Sequence, residues 1–205
     1  MHPPDPEDIA QEILPHLWLG EVAAARSEFW KSEHKITHVL ACLPWNVDSS
    51  PSDKRISVMD MCGVAIVKHF KETNEWIHQL RTTLPHARIL VHCFAGISRS
   101  STIVIAYLID KHDFAFDNAL YYVKEKRHCV NPNAGFKEQL RSYAEQKAVD
   151  RAFCVVEKNR RLKRMPKVAK QDALYRRILK IIWQYGEWHF LSDLKLVANS
   201  IFAIG

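Results

Sequence analysis

The sequence predicts an α/β protein with a mostly parallel central sheet flanked by helices. Three observations predict it. Short apolar runs of strand length (13–20, 36–42, 55–59, 89–91) alternate with segments of helical period through the first half of the chain. Beyond residue 100 only the helical period continues. One run, Ile89-Leu90-Val91, passes through a glycine-bearing loop into Thr102-Ile103-Val104-Ile105-Ala106-Tyr107-Leu108-Ile109, apolar nearly all round. A buried strand feeding a buried helix has that pattern.

The elements follow in order. Residues 1–11, rich in proline and acid, read as a flexible lead-in. Ile13-Leu14-Pro15-His16-Leu17-Trp18-Leu19-Gly20 reads as an edge strand, because its proline would break a central one. Residues 21–34 make one helix or two short ones, and Ile36–Cys42 a buried strand. A loop rich in Pro, Asn, Asp and Ser (44–53) precedes the strand Arg55–Met59, which ends at Asp60. Ile66, Phe70, Ile77, Leu80 and Leu84 recur at helical spacing up to Pro85. After the central strand, loop and helix, two more helices are expected, at about 116–127 and from Asn133, a good N-cap, to about 148.

Composition bounds the rest. A chain of 205 residues with 47% hydrophobic content can bury a sizeable core. No uncharged apolar run approaches the ~20 residues a bilayer span needs, and Met1–Pro6 lacks the basic and apolar regions of a secretory signal. Five scattered cysteines (42, 62, 93, 129, 154) suit reduced thiols in an intracellular protein. From residue 150 onward 12 Lys/Arg face 5 Asp/Glu, a net of +7, whereas residues 1–149 hold 17 against 18, a net of −1. The basic character therefore belongs to the tail.

The chemistry concentrates at Val91-His92-Cys93-Phe94-Ala95-Gly96-Ile97-Ser98-Arg99-Ser100. A strand, a tight loop and a helix N-terminus form an anion cup, since backbone N–H groups turn inward and the first helical turn offers them no acceptor. Cys93 stands at the strand end, and Arg99 six residues on. N–H dipoles and a guanidinium favour the thiolate there, and a planar arginine grips two phosphoryl oxygens at once. That describes a nucleophile facing a phosphate pocket, with Phe94, Ala95, Gly96, Ile97, Ser98 and Arg99 as its binding loop. A cysteine at a strand end is also commonly inert core; the surrounding pattern favours the loop.

Expelling an alkoxide requires a proton donor. In open α/β sheets the reactive edge is where the strands end, which selects Asp60 over Asp48 and Asp53, both of which precede the strand. A turn-capping aspartate is the competing reading.

The stretches Ile13–Pro15, Leu17–Gly20, Ile36–Leu40, Val91–Ser100, Ala106-Tyr107 and Asn131–Leu140 resemble the dual-specificity protein phosphatases, the small VH1-like members of the Cys-based protein tyrosine phosphatase superfamily. The likeness runs from about Ile13 to Gln146, about two thirds of the chain. It lies nearest the atypical branch that includes JNK-stimulatory phosphatase and VHY. It implies the protein tyrosine phosphatase-like fold, a catalytic domain at 12–148, and a basic, then apolar, partly helical extension at 149–205. It also implies hydrolysis of phosphotyrosine and phosphoserine/phosphothreonine through a phosphocysteine intermediate, without cofactor or metal. Cys93 would be the nucleophile, Arg99 the oxyanion clamp and Asp60 (with Phe70 ten residues on) the general acid. Ser100 would stabilise the departing thiolate. His92 would orient the loop or sit as a satisfied buried histidine. Asn131 and Asn133 would brace the loop or cap the last helix.

Other readings stay open. Cys62, two residues past Asp60, is a resolving thiol or a spare core cysteine. The pair His34 and His38 lacks a third metal ligand. Close relatives carry Gly at position 2 for myristoylation, whereas this chain has His2. The basic stretch 158–170 suits a nuclear import signal, a patch for nucleic acid or an anionic membrane surface, or a solvated linker; Leu174–Tyr185 reads as an amphipathic helix. The expected partners are phosphoproteins in MAP-kinase-type signalling, in the cytoplasm or the nucleus. The competing functions are a phosphatase for RNA 5′-triphosphate or phosphoinositide, and a non-catalytic phosphoprotein-binding module.

Overall fold

The structure is a computed structural model, which describes residues 9–44 and 54–164. Five strands, β1 (Ala10–Leu14), β2 (Leu17–Gly20), β3 (His38–Cys42), β4 (Lys54–Ile56) and β5 (Ile89–His92), form one sheet in the order β1-β2-β5-β3-β4. Only β1 runs antiparallel, against β2; the remaining pairs are parallel. The helices are α1 (Val22–Arg26), α2 (Glu28–Glu33), α3 (Phe70–Thr83, preceded by a 3-10 turn at Ile66–His69), α4 (Arg99–Lys111), α5 (Phe116–Lys126) and α6 (Ala134–Arg164). The chain divides into two compact units, Met1–Arg151 and Ala152–Gly205. The sheet and the site belong to the first.

β5 is central because every residue in it is buried, as the run Ile-Leu-Val requires. Alternation splits its side chains between two cores. Ile89 and Val91 join Leu17, Leu19, Leu40, Ile103, Tyr107 and Phe136 in the larger one. Leu90 joins Val39, Ala24 and Trp30 on the opposite face. Each such buried side chain contributes ~1.5–3 kcal/mol relative to exposure. α4 is enclosed from Arg99 to Ile109, which accounts for its lack of a polar face. Asn74 of α3 donates to Ala106 O of α4 at 3.2 Å. Register places Gly20, Ala41 and His92 side by side, so three strands deliver their ends to one edge.

Several sequence expectations are corrected. Residues 13–20 are not a single strand: Pro15-His16 is the turn of a β1–β2 hairpin, with His16 at φ 66°. The proline breaks nothing because it sits between strands, and β1 takes the edge, drawing in residues 10 and 11 of the expected lead-in. β4 ends at Ile56, so Asp60 lies in a loop four residues beyond. α6 continues to Arg164 instead of stopping near 148, helped by Arg151, which donates to Ile109 O at 3.1 Å and pairs with Asp113. Asp48, Asp53, the tail beyond Arg164 and the helix expected at 174–185 lie outside the described residues.

Candidate active site

The loop Cys93–Ser98 leaves the central strand and enters α4 directly. Its shape is imposed from outside. Phe94 O accepts from Val22 N at 3.1 Å, and Ile97 O accepts from Asn131 N at 2.9 Å. Ala95 O and Gly96 O accept from the Arg127 guanidinium at 3.3 and 3.2 Å. Four successive carbonyls are thus tied to the scaffold. Among the described residues, no backbone N–H of residues 94–98 donates to another backbone group. A loop with its carbonyls held outward turns its N–H groups inward, as an anion nest requires. Gly96 at φ +66° permits the bend, and a Cβ there would lie 2.7 Å from the Gly20 backbone.

Cys93 is 1% exposed, and Ser100 Oγ donates to its Sγ at 3.1 Å. Arg99 is buried from the first residue of α4; its Nε has no hydrogen-bond partner and lies 3.6 Å from Asp60 Oδ2. That separation is an ion pair rather than a hydrogen bond. Asp60 is held on its other oxygen. Ser98 Oγ donates to Oδ1 at 2.7 Å, and Asn133 Nδ2 donates to it at 2.8 Å. Asn133 N in turn donates to Ser98 Oγ at 3.1 Å.

Cys93, Ser98, Arg99, Ser100, Asp60 and Asn133 therefore come together. Asn133 both braces and caps, since its Oδ1 accepts from Phe136 N at 2.9 Å in the first turn of α6. Asn131 braces the loop by its backbone only; its side chain accepts from Lys137 Nζ at 2.7 Å. His92 Nδ1 donates to Cys93 O at 3.3 Å, and burial lowers its pKa to about 4, so it stays neutral beside the loop. Cys42, buried one step beyond the paired ends of β3 and β5, has its thiol pushed well up, first by burial and then by Cys93. Cys62 is exposed and is no core cysteine. His34 stacks on Trp30 while His38 bonds Thr37 Oγ1. Among the described residues, no group of three His, Cys, Asp or Glu is placed to hold a metal.

Two contributors escaped sequence reasoning. Arg127, 5% exposed, reaches from the end of α5 to the loop carbonyls and to Gln11 Oε1 of β1. Nothing in the sequence separates it from Lys124 or Lys126. Gly135 meets the acid loop so closely that a Cβ would lie 1.9 Å from Cys62 O. A glycine in a first helical turn, where propensity disfavours it, was the available signal.

Comparison with known proteins agrees with this geometry. A family model described as the catalytic domain of dual specificity phosphatases matches residues 17–146. Human dual specificity protein phosphatase 22 is 38% identical over 139 residues, covering 64% of this chain and 72% of that protein. The mouse dual specificity protein phosphatase 15 is 40% identical over 134 residues, covering 64% of this chain and 56% of its own length. The crystal structure of DUSP15 superposes with a TM-score of 0.63 at 36% identity, covering 66% of this chain and 86% of that one.

Proposed function

Because this chain belongs to the dual specificity phosphatase family, and is thereby a protein tyrosine/serine/threonine phosphatase, we propose that it works through a phosphocysteine at Cys93. The observation that carries this reading is the Cys93 thiol, bonded by Ser100 at the floor of a loop whose carbonyls all point away. A phosphate oxyanion shell fits the inward N–H groups of residues 94–99 and the Arg99 guanidinium.

The Cys93 thiolate attacks phosphorus in line, forming the S–P bond as the ester P–O bond breaks, while Asp60 gives its proton to the leaving oxygen. Water then attacks the phosphocysteine and passes a proton to Asp60, and Cys93 departs as a thiolate stabilised by Ser100. Arg99 and the amides supply the positive field that a divalent ion supplies in other phosphoryl-transfer sites; the reaction needs no metal. Loop residues 93–98 carry no lysine or arginine, which speaks against a multiply charged RNA 5′-triphosphate or phosphoinositide.

The test is hydrolysis, in the presence of EDTA, of one peptide phosphorylated alternately on tyrosine and on threonine, beside a phosphoinositide and a triphosphorylated RNA. Release of phosphate from both peptides in excess of the other substrates is expected. Preference for lipid or RNA, loss with EDTA, or binding without release overturns the reading. The acid's placement has its own check. Gly135→Ala forces the Cys62 backbone, and with it Asp60, to move. Since about 1 Å of misplacement costs roughly 10²-fold, kcat/KM on phosphothreonine peptide should fall by about 10- to 100-fold. The loss on p-nitrophenyl phosphate, whose leaving group needs little protonation, should be much smaller.

A further inference from the structure

The two segments that meet at the phosphate loop are almost free of charge. Across residues 57–67 the only carboxylate or basic side chain is Asp60, and residues 93–98 contain no carboxylate, lysine, arginine or histidine. Asp60 is fastened to the loop by Ser98 and to α6 by Asn133, which ties the chain at its neighbours Met59 and Met61 to the loop. These two residues are 48% and 59% exposed. On the loop itself, the backbones of Phe94 and Ile97 are fixed through their carbonyls, and the two residues are 61% and 38% exposed. Four large apolar residues on these two joined segments are therefore exposed. Isolated exposed hydrophobics need no explanation, but four on two segments joined at a binding loop call for one.

Charges of both signs stand beside this rim, so discrimination against Asp and Glu comes from laying a carboxylate on apolar side chains. Glu21 adjoins Val22, whose N–H holds Phe94 O. Lys137 of α6 bonds the neutral Asn131 Oδ1 and keeps its positive charge.

We propose that Met59, Met61, Phe94 and Ile97 form a specificity rim that selects phosphorylated side chains flanked by apolar residues, in preference to those flanked by Asp or Glu. The proposal rests on the phosphatase reading for where the phosphate sits. The occupant is then set by continuity: a phosphoester seated on the loop lays its neighbouring residues across these four side chains. Two of them are methionines, whose unbranched thioethers adapt to differently shaped apolar groups. The selection is accordingly for the apolar class and not for one residue.

The experiment compares phosphotyrosine peptides of equal length whose two residues on each side are Leu/Ile, Ala, Asp/Glu or Lys, with p-nitrophenyl phosphate as a flankless reference. The expected result is a kcat/KM for the Leu/Ile peptide at least about tenfold above that for the Asp/Glu peptide. In Met59→Lys/Met61→Lys that ratio, each rate divided by the same variant's rate on p-nitrophenyl phosphate, should collapse or invert. A ratio near one in the wild type, or one unmoved by the lysines, overturns the proposal while leaving the phosphatase reading intact. Absence of turnover on every substrate overturns the phosphatase reading alone. Binding of the same peptides to Cys93→Ser, by fluorescence anisotropy, then gives the ratio without turnover, and a tenfold preference or its absence decides the rim.

Discussion

Cys93→Ser should abolish turnover and leave phosphopeptide binding within a few-fold of wild type. The substitution is nearly isosteric at a position 1% exposed, and the loop's form depends on carbonyl bonds that do not involve this side chain. Ser100 Oγ, now 3.1 Å from a sulfur, finds a hydroxyl instead. What disappears is the nucleophile, because a serine hydroxyl with no adjacent general base is weak. Single-turnover assays with phosphotyrosine and phosphothreonine peptides should show no release above background, and calorimetry should return a Kd within a few-fold of wild type. Turnover within about tenfold of wild type would remove Cys93 from the mechanism.

The second large effect belongs to Asp60→Asn. Asparagine keeps an Oδ1 acceptor for Ser98 and Asn133, so the loop stays in place while the transferable proton is lost. General acid catalysis supplies about 10²- to 10⁴-fold, and kcat/KM on phosphoserine and phosphothreonine peptides should fall by that factor. The loss should shrink steadily along a series of aryl phosphates as the leaving group becomes less basic. A loss of the same size for every leaving group would mark Asp60 as a positioning residue and return the acid's role to another group.

Much of this site was legible because it is local. Ile89 to Ile109 carry strand, loop and helix in one contiguous signal, and Gly96 announced the bend. Asp60 was reachable by a longer argument, that parallel strands deliver their ends to one edge; β3, β4 and β5 are parallel, although β4 stops at Ile56. The reading of residues 13–20 failed because a proline and a histidine inside an apolar run look like a flawed strand, and the positive φ of His16 leaves no trace in hydrophobic pattern. α6 was read short because its distal half packs too little apolar surface to show a period; Val149, Phe153, Val155 and Val156 are exposed. Arg127 and Gly135 act across separations of 31 and 73 residues, on Gly96 and Cys62. Their roles are properties of the assembled fold.

The hydrogen bonds of Arg127 set the size of the piece that must fold together. The family match begins at residue 17, yet Gln11 holds one end of that guanidinium, Tyr122 OH donates to Ile13 O at 3.0 Å, and Ile13 is 1% exposed in the larger core. Trimming an expression plasmid to the boundaries of the shared module would strip the keel from beneath the phosphate cradle. The smallest autonomous enzyme here starts no later than Ile9, whose carbonyl accepts from Glu21 N at 2.9 Å.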